Sequence, residues 1–129
     1  MITIVDTSLR DGMSSVSHKF TPEQVGAVAR GLDQAGVRVI EVAHVIGIGA
    51  SSIQYGLAAA TDIEYVQAAV AAVDRADIAV LYVPGISTLA TLDVVRDAGR
   101  PRFGSPRTGL RPTVPSSRSA MPATTVCAS

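Results

Sequence analysis

A chain of 129 residues with 47% apolar side chains has the size of one domain and enough apolar material for a core. Its formal neutrality is a cancellation and identifies no partner: residues 1–99 hold six basic residues against all eleven acids, while residues 100–129 hold five arginines and no acid. The single cysteine, Cys127, excludes an internal disulfide and suits a reducing compartment. No apolar run reaches the roughly 20 residues that span a bilayer. With no positively charged leader ahead of an apolar core, the expected setting is cytoplasmic, with no membrane partner.

The β-branched run Ile2-Thr3-Ile4-Val5 predicts a first strand, and Thr7-Ser8-Leu9-Arg10-Asp11-Gly12-Met13 follows as a charged loop. Thr21-Pro22-Glu23-Gln24 then carries an N-cap, a proline at the first helical position and the glutamine of a capping box. Val25, Val28, Ala29 and Leu32 recur at helical spacing up to a stop at Gly36. Residues 37–42 read as a second strand, leading to Glu41 and His44 at its end.

A glycine- and serine-rich connection, Gly47-Ile48-Gly49-Ala50-Ser51-Ser52, runs on to Tyr55-Gly56. Its backbone could approach a ligand closely, but it has neither the lysine of a P-loop nor the spacing of a dinucleotide fingerprint. Thr61-Asp62-Ile63-Glu64 opens a second helix with Val66, Ala69, Val70 and Val73 as its apolar face. Residues 78–83 form a nearly continuous apolar strand that Pro84-Gly85 ends. A third helix runs from Thr88 to Ala98 with Leu89, Leu92 and Val95 inward.

The order is thus strand–helix three times over, with the spacing of crossover units on a parallel sheet. Arg10, Asp11, Glu41 and His44 all fall after strand ends, on the rim where barrels and open α/β sheets keep their chemistry. Asp11 could ligate a hard divalent cation, and the fork-shaped cation of Arg10 could hold a carboxylate or a developing enolate oxygen. The alternative for the same pair is a strand-end salt bridge followed by a turn.

Leu9-Arg10-Asp11-Gly12-Met13, Ile40-Glu41-Val42-Ala43-His44, the segment from Gly47 to Gly56, and Leu81-Tyr82-Val83-Pro84-Gly85-Ile86-Ser87-Thr88 occur in an order and spacing that resemble the 4-hydroxy-2-oxovalerate aldolases. These are metal-dependent barrel lyases, grouped with 3-hydroxy-3-methylglutaryl-coenzyme A lyase and isopropylmalate synthase. The resemblance covers residues 1–99 and implies an α/β fold, a partial (β/α)8 TIM barrel made of the first three βα units. It implies retro-aldol cleavage of a small 4-hydroxy-2-oxoacid to pyruvate and an aldehyde in aromatic or steroid catabolism. Mn²⁺ or another divalent cation is the implied cofactor, and an acylating acetaldehyde dehydrogenase is the implied partner.

Residue by residue, the resemblance makes Asp11 the metal ligand, places Asp11 and Arg10 at the substrate, and makes Arg10 the catalytic cation that stabilises the enolate. Ser14 stands where the family has its catalytic histidine, and a hydroxyl is a poorer proton carrier by roughly 10²–10⁴ in rate. His18, Glu41 and His44 are supporting candidates. The family's His-x-His metal pair and catalytic tyrosine lie beyond the point where the similarity stops, so the implied metal site is incomplete.

From residue 100 the composition changes: five of the seven prolines sit here with five arginines and five serines. Residues 100–129 therefore read as a basic, disordered tail. Aromatics are lacking apart from Phe103, so a nucleic-acid partner is not expected. Read one base earlier, the codons of Phe103 to Thr113 can spell Val-Arg-Ile-Ala-Thr-His-Trp-Thr-Glu-Ala-Asp. The resembled family continues after its third helix with a strand similar to Val-Arg-Val-Ala-Thr-His-Cys-Thr-Glu-Ala-Asp. The tail is accordingly expected to be a frameshifted translation, and the chain a truncated aldolase with little activity. The competing expectation is a small α/β module that binds a ligand through Gly47–Ser52, or acts as an interaction subunit, without catalysis.

Overall fold

Two capping boxes set the helical frame of the molecule, a computed structural model that describes residues 2–99 and the backbone of Thr124–Ala128. At the first, the Thr21 hydroxyl accepts the Gln24 N–H while the Gln24 side chain accepts the Thr21 N–H, and Pro22 begins helix α1 (Pro22–Gln34). Thr61 and Glu64 make the same reciprocal pair ahead of α2 (Asp62–Ala72). Thr88 caps α3 (Leu89–Ala98) by accepting from the Thr91 N–H.

Three parallel strands alternate with these helices: β1 (Val5–Leu9), β2 (Val39–Val42) and β3 (Asp77–Tyr82), side by side in chain order. This is the arrangement of the first three βα units of a barrel, opened out as a sheet. A fourth strand, β4 (Thr124–Ala128), lies antiparallel along the far edge of β3, with Leu81 opposite Thr125. Every strand of a (β/α)8 barrel runs parallel, so β4 is not the next strand of the barrel pattern.

The strands sit slightly differently from their expected positions. The first begins at Val5 rather than Ile2, because its partners on β2 are Val39, Ile40 and Val42; Ile2 and Ile4 stay exposed ahead of it. Pairing with β2 outweighs the weak strand propensity of Asp6 and Ser8. A register shift between Asp6 and Leu9 accompanies full burial of Leu9. The second strand is likewise shorter than residues 37–42.

Leu89, expected inward, is 70% exposed, whereas Val95 is buried. Six residues along a helix leave the two about two-thirds of a turn apart, so they cannot share one inward stripe. At Thr124–Ala128 a short run containing β-branched residues pairs with the otherwise open edge of β3. Expectations for residues 100–123 lie outside the described residues.

The core has two adjoining parts. Leu9, Met13, Val25, Ala29, Ile40, Val42, Tyr65, Ala69 and Ile78 pack between α1, α2 and the sheet. Ala43, Ile48, Val66, Val80 and Val95 continue it toward α3. A buried carboxylate ties the first part together: Asp33, near the end of α1, accepts the backbone N–H groups of Asp74, Arg75 and Ala76 at 2.9, 3.2 and 2.8 Å. These bonds hold its pKa below the usual carboxylate value, with the Asp74 N–H the largest cause. Among the described residues, no helix is long and apolar enough to cross a membrane.

Candidate active site

The end of β1 delivers Arg10 and the end of β2 delivers Glu41, and the two side chains meet. Arg10 Nε donates to Glu41 Oε2 at 2.5 Å, and Arg10 Nη1 donates to the Val45 carbonyl at 3.0 Å. The Arg10 side chain is only 17% exposed and that of Glu41 7%, so both are largely removed from water. Held from two directions, the fork keeps a fixed orientation at the strand-end rim and offers fixed positive charge there.

Asp11 and Ser14 lie on the 3₁₀ turn Asp11–Val16 that follows, and both are exposed. The Ser14 hydroxyl donates to the Asp11 carbonyl at 2.9 Å, satisfying its own turn. No group of three His, Cys, Asp or Glu placed to hold a metal occurs among the described residues. One exposed carboxylate is not a divalent-cation site, which takes several oxygen or nitrogen donors, so the described residues do not by themselves fit the implied cation.

The two histidines come together away from that pair. The rings of His18 and His44 stack with centroids 4.3 Å apart and planes 7° from parallel. His44 is fully buried: Ile46 N–H donates to its Nδ1 at 3.3 Å, which leaves Nε2 to donate to the Gly56 carbonyl at 3.0 Å. That pattern specifies the neutral Nε2–H tautomer. His18, 8% exposed, has a buried Nδ1 with no hydrogen-bond partner among the described residues. Its pKa lies below the ordinary 6.5, first because burial disfavours the cation and second because His44 stands beside it.

The glycine-rich connection is folded against its own chain. Ile48 N–H donates to the Leu81 carbonyl, Gly49 N–H to Asp62 Oδ2 at 2.7 Å, and Ala50 N–H to the Gly47 carbonyl. A phosphate cradle needs such N–H groups free, and here they are already engaged. At Gly47, with φ of 120°, a Cβ would stand 2.8 Å from the Leu81 carbonyl oxygen. At Gly56, with φ of 95°, it would stand 2.7 Å from the His18 ring. Both glycines are required by close approach as well as by backbone conformation.

Long-range polar anchors that the sequence reading did not single out complete the rim. Ser87, buried, donates to the Ile48 carbonyl at 2.7 Å and accepts the Val83 N–H, joining the β3–α3 loop to the glycine-rich one. Asp62 accepts from both His44 N–H and Gly49 N–H. The buried Tyr65 hydroxyl donates to the Phe20 carbonyl at 2.8 Å and accepts the Ala60 N–H. A capping aspartate and a helix tyrosine carry no local signal for these distant partners, although Asp62 beside a capping threonine was already in view.

The profile of the HMGL-like family matches residues 1–102. The chain belongs to the HMGL-like family. Within it, the chain is 74% identical over 98 residues to 4-hydroxy-2-oxovalerate aldolase 2 of Nocardia farcinica (strain IFM 10152), covering 76% of this chain and 28% of that one. It is equally identical over 98 residues to 4-hydroxy-2-oxovalerate aldolase 2 of Rhodococcus jostii (strain RHA1), covering 29% of that protein. It is 51% identical over the same length to the 4-hydroxy-2-oxovalerate aldolase of Pelotomaculum thermopropionicum. The chain thus spans under a third of the length of the HMGL-like relatives it matches.

Proposed function

We propose that this chain carries the enolate-stabilising rim of a 4-hydroxy-2-oxoacid aldolase, with Arg10 as the cation that meets the developing charge. The observation that carries the reading is the double anchoring of Arg10 by Glu41 and the Val45 carbonyl at the ends of β1 and β2. In the cleavage, the 4-hydroxyl loses its proton and the C3–C4 bond breaks. The electron pair moves onto the C2 carbonyl oxygen as the pyruvate enolate, the aldehyde leaves, and a proton adds at C3. A guanidinium fixed beside that oxygen stabilises the charge without reorganising, an effect worth about 3 kcal/mol for a single donor at comparable sites.

Asp11 would be one ligand of Mn²⁺ or a similar cation only in a longer product of the shifted frame proposed below, because residues 100–129 hold no histidine, aspartate or glutamate to complete a site. Ser14 leaves this chain without an imidazole at the proton-transfer position, which supports weak activity in the chain as it stands. The proposed setting is the cytoplasm, where an acylating acetaldehyde dehydrogenase would take the volatile aldehyde.

We also propose that residues from about 100 onward are read in a shifted frame. Support comes from the family match ending at residue 102 and from the antiparallel β4, which departs from the barrel pattern. Oxalate, a planar dianion shaped like the pyruvate enolate, tests the site in the chain itself by titration calorimetry with and without Mn²⁺. Binding lost in Arg10→Ala supports the reading; binding of equal strength in that variant contradicts it.

A further inference from the structure

The glycine-rich connection between β2 and α2 is closed over the turn that follows β1 by two histidines from different elements. His44 bonds the Gly56 carbonyl through Nε2, and the His18 ring lies under Gly56 where a Cβ would collide with it. The His18 carbonyl accepts the Ala59 N–H at 2.9 Å, so both ends of the contact grip the same loop. His18 and the preceding Ser17 hold φ of 59° and 54°, a conformation that non-glycine residues rarely adopt.

We propose that the stacked His18–His44 pair is a proton-operated latch: neutral, it holds the loop from Gly47 to Ala60 shut, and uptake of one proton releases it. A proton on His18 Nδ1 would place a cation in a buried position with no acceptor, stacked on a second imidazole. That charge is better solvated with the loop open.

The charged and titratable groups on the elements packed against the pair have partners of their own. Asp62 on α2 is engaged by the backbone N–H groups of His44 and Gly49. Glu41 on β2 faces Arg10 from the end of β1, and the Tyr65 hydroxyl is held by Phe20 and Ala60. The lowered pKa of His18 agrees in sign, since the open form would bind the proton more tightly than the closed one.

Val45, whose carbonyl anchors Arg10, lies between His44 and Ile46, so release of the latch would loosen the Arg10 anchor. That consequence rests on the role proposed for Arg10 above. The latch does not, and its test reads the loop rather than the reaction.

Amide hydrogen exchange on the full chain from pH 7.5 to 5.0, corrected for the intrinsic pH dependence of exchange, measures the opening directly. The latch predicts that protection of the Gly47, Ser52 and Ala59 amides falls about tenfold per pH unit below 6.5 while α1 stays protected. In His18→Phe, which keeps a stacked ring without the titrating nitrogens, the dependence should flatten. Loop protection that is flat with pH, that falls together with α1, or that keeps its slope in the variant overturns the proposal. Nitrogen shifts of the imidazoles in the unaltered chain decide it independently of that variant. The latch requires the Nε2–H tautomer of His44 and a neutral His18 at pH 6.5 with the loop closed, and a charged His18 in the closed form overturns it.

Discussion

Arg10 and Glu41, 31 residues apart in sequence, are joined through Nε and Oε2 at 2.5 Å, linking the ends of two adjacent parallel strands. The pair is largely buried, so removing one partner leaves the other charge poorly solvated. Glu41→Leu should cost about 3 kcal/mol of unfolding free energy, and the double replacement Arg10→Met with Glu41→Leu should cost less than that single change. Urea denaturation of the four members of this cycle measures both quantities.

The close approach of the glycine-rich loop to β3 makes a second prediction. Gly47→Ala places a Cβ 2.8 Å from the Leu81 carbonyl oxygen at a positive φ, which should destabilise the fold by at least about 2 kcal/mol. Gly12→Ala is the control: nothing lies within 4 Å of its Cβ position, and its cost should stay within about 0.5 kcal/mol. Thermal unfolding of the two variants checks the contrast.

Asp33 ties the acid stability of the fold to one carboxylate. Its pKa is lowered in the folded chain by the N–H groups of Asp74, Ala76 and Arg75, so the folded state binds the proton less tightly than the unfolded one. The stability it contributes is present above the unfolded value near 3.8 and is lost as pH falls through the lower folded value. Asp33→Asn should lower the urea midpoint at pH 7 and flatten the decline below pH 4, as seen in midpoints measured across that range.

Much of this architecture is local in origin and legible from the chain. Thr21 with Gln24 and Thr61 with Glu64 announce their helices through residues three apart, and the apolar run of β3 identifies a strand buried on both faces. What the sequence did not reveal depends on residues brought together by folding. β1 starts where β2 offers partners, and Asp33 and Ser87 find acceptors and donors about 40 residues away. At the candidate site, the strand-end position of Arg10 and Glu41 was readable, but their mutual bond was not. His18 and His44 were separate candidates in sequence, and only the fold stacks them.

The decisive experiment is release of pyruvate from 4-hydroxy-2-oxovalerate, with Mn²⁺ present, by the product of the same coding region read one base earlier from about codon 100. That frame should encode a His-x-His pair and yield a metal-dependent cleavage, abolished by Arg10→Ala and raised about 10²–10⁴-fold by Ser14→His. A shifted frame without that pair, or cleavage indifferent to Arg10→Ala, would contradict it.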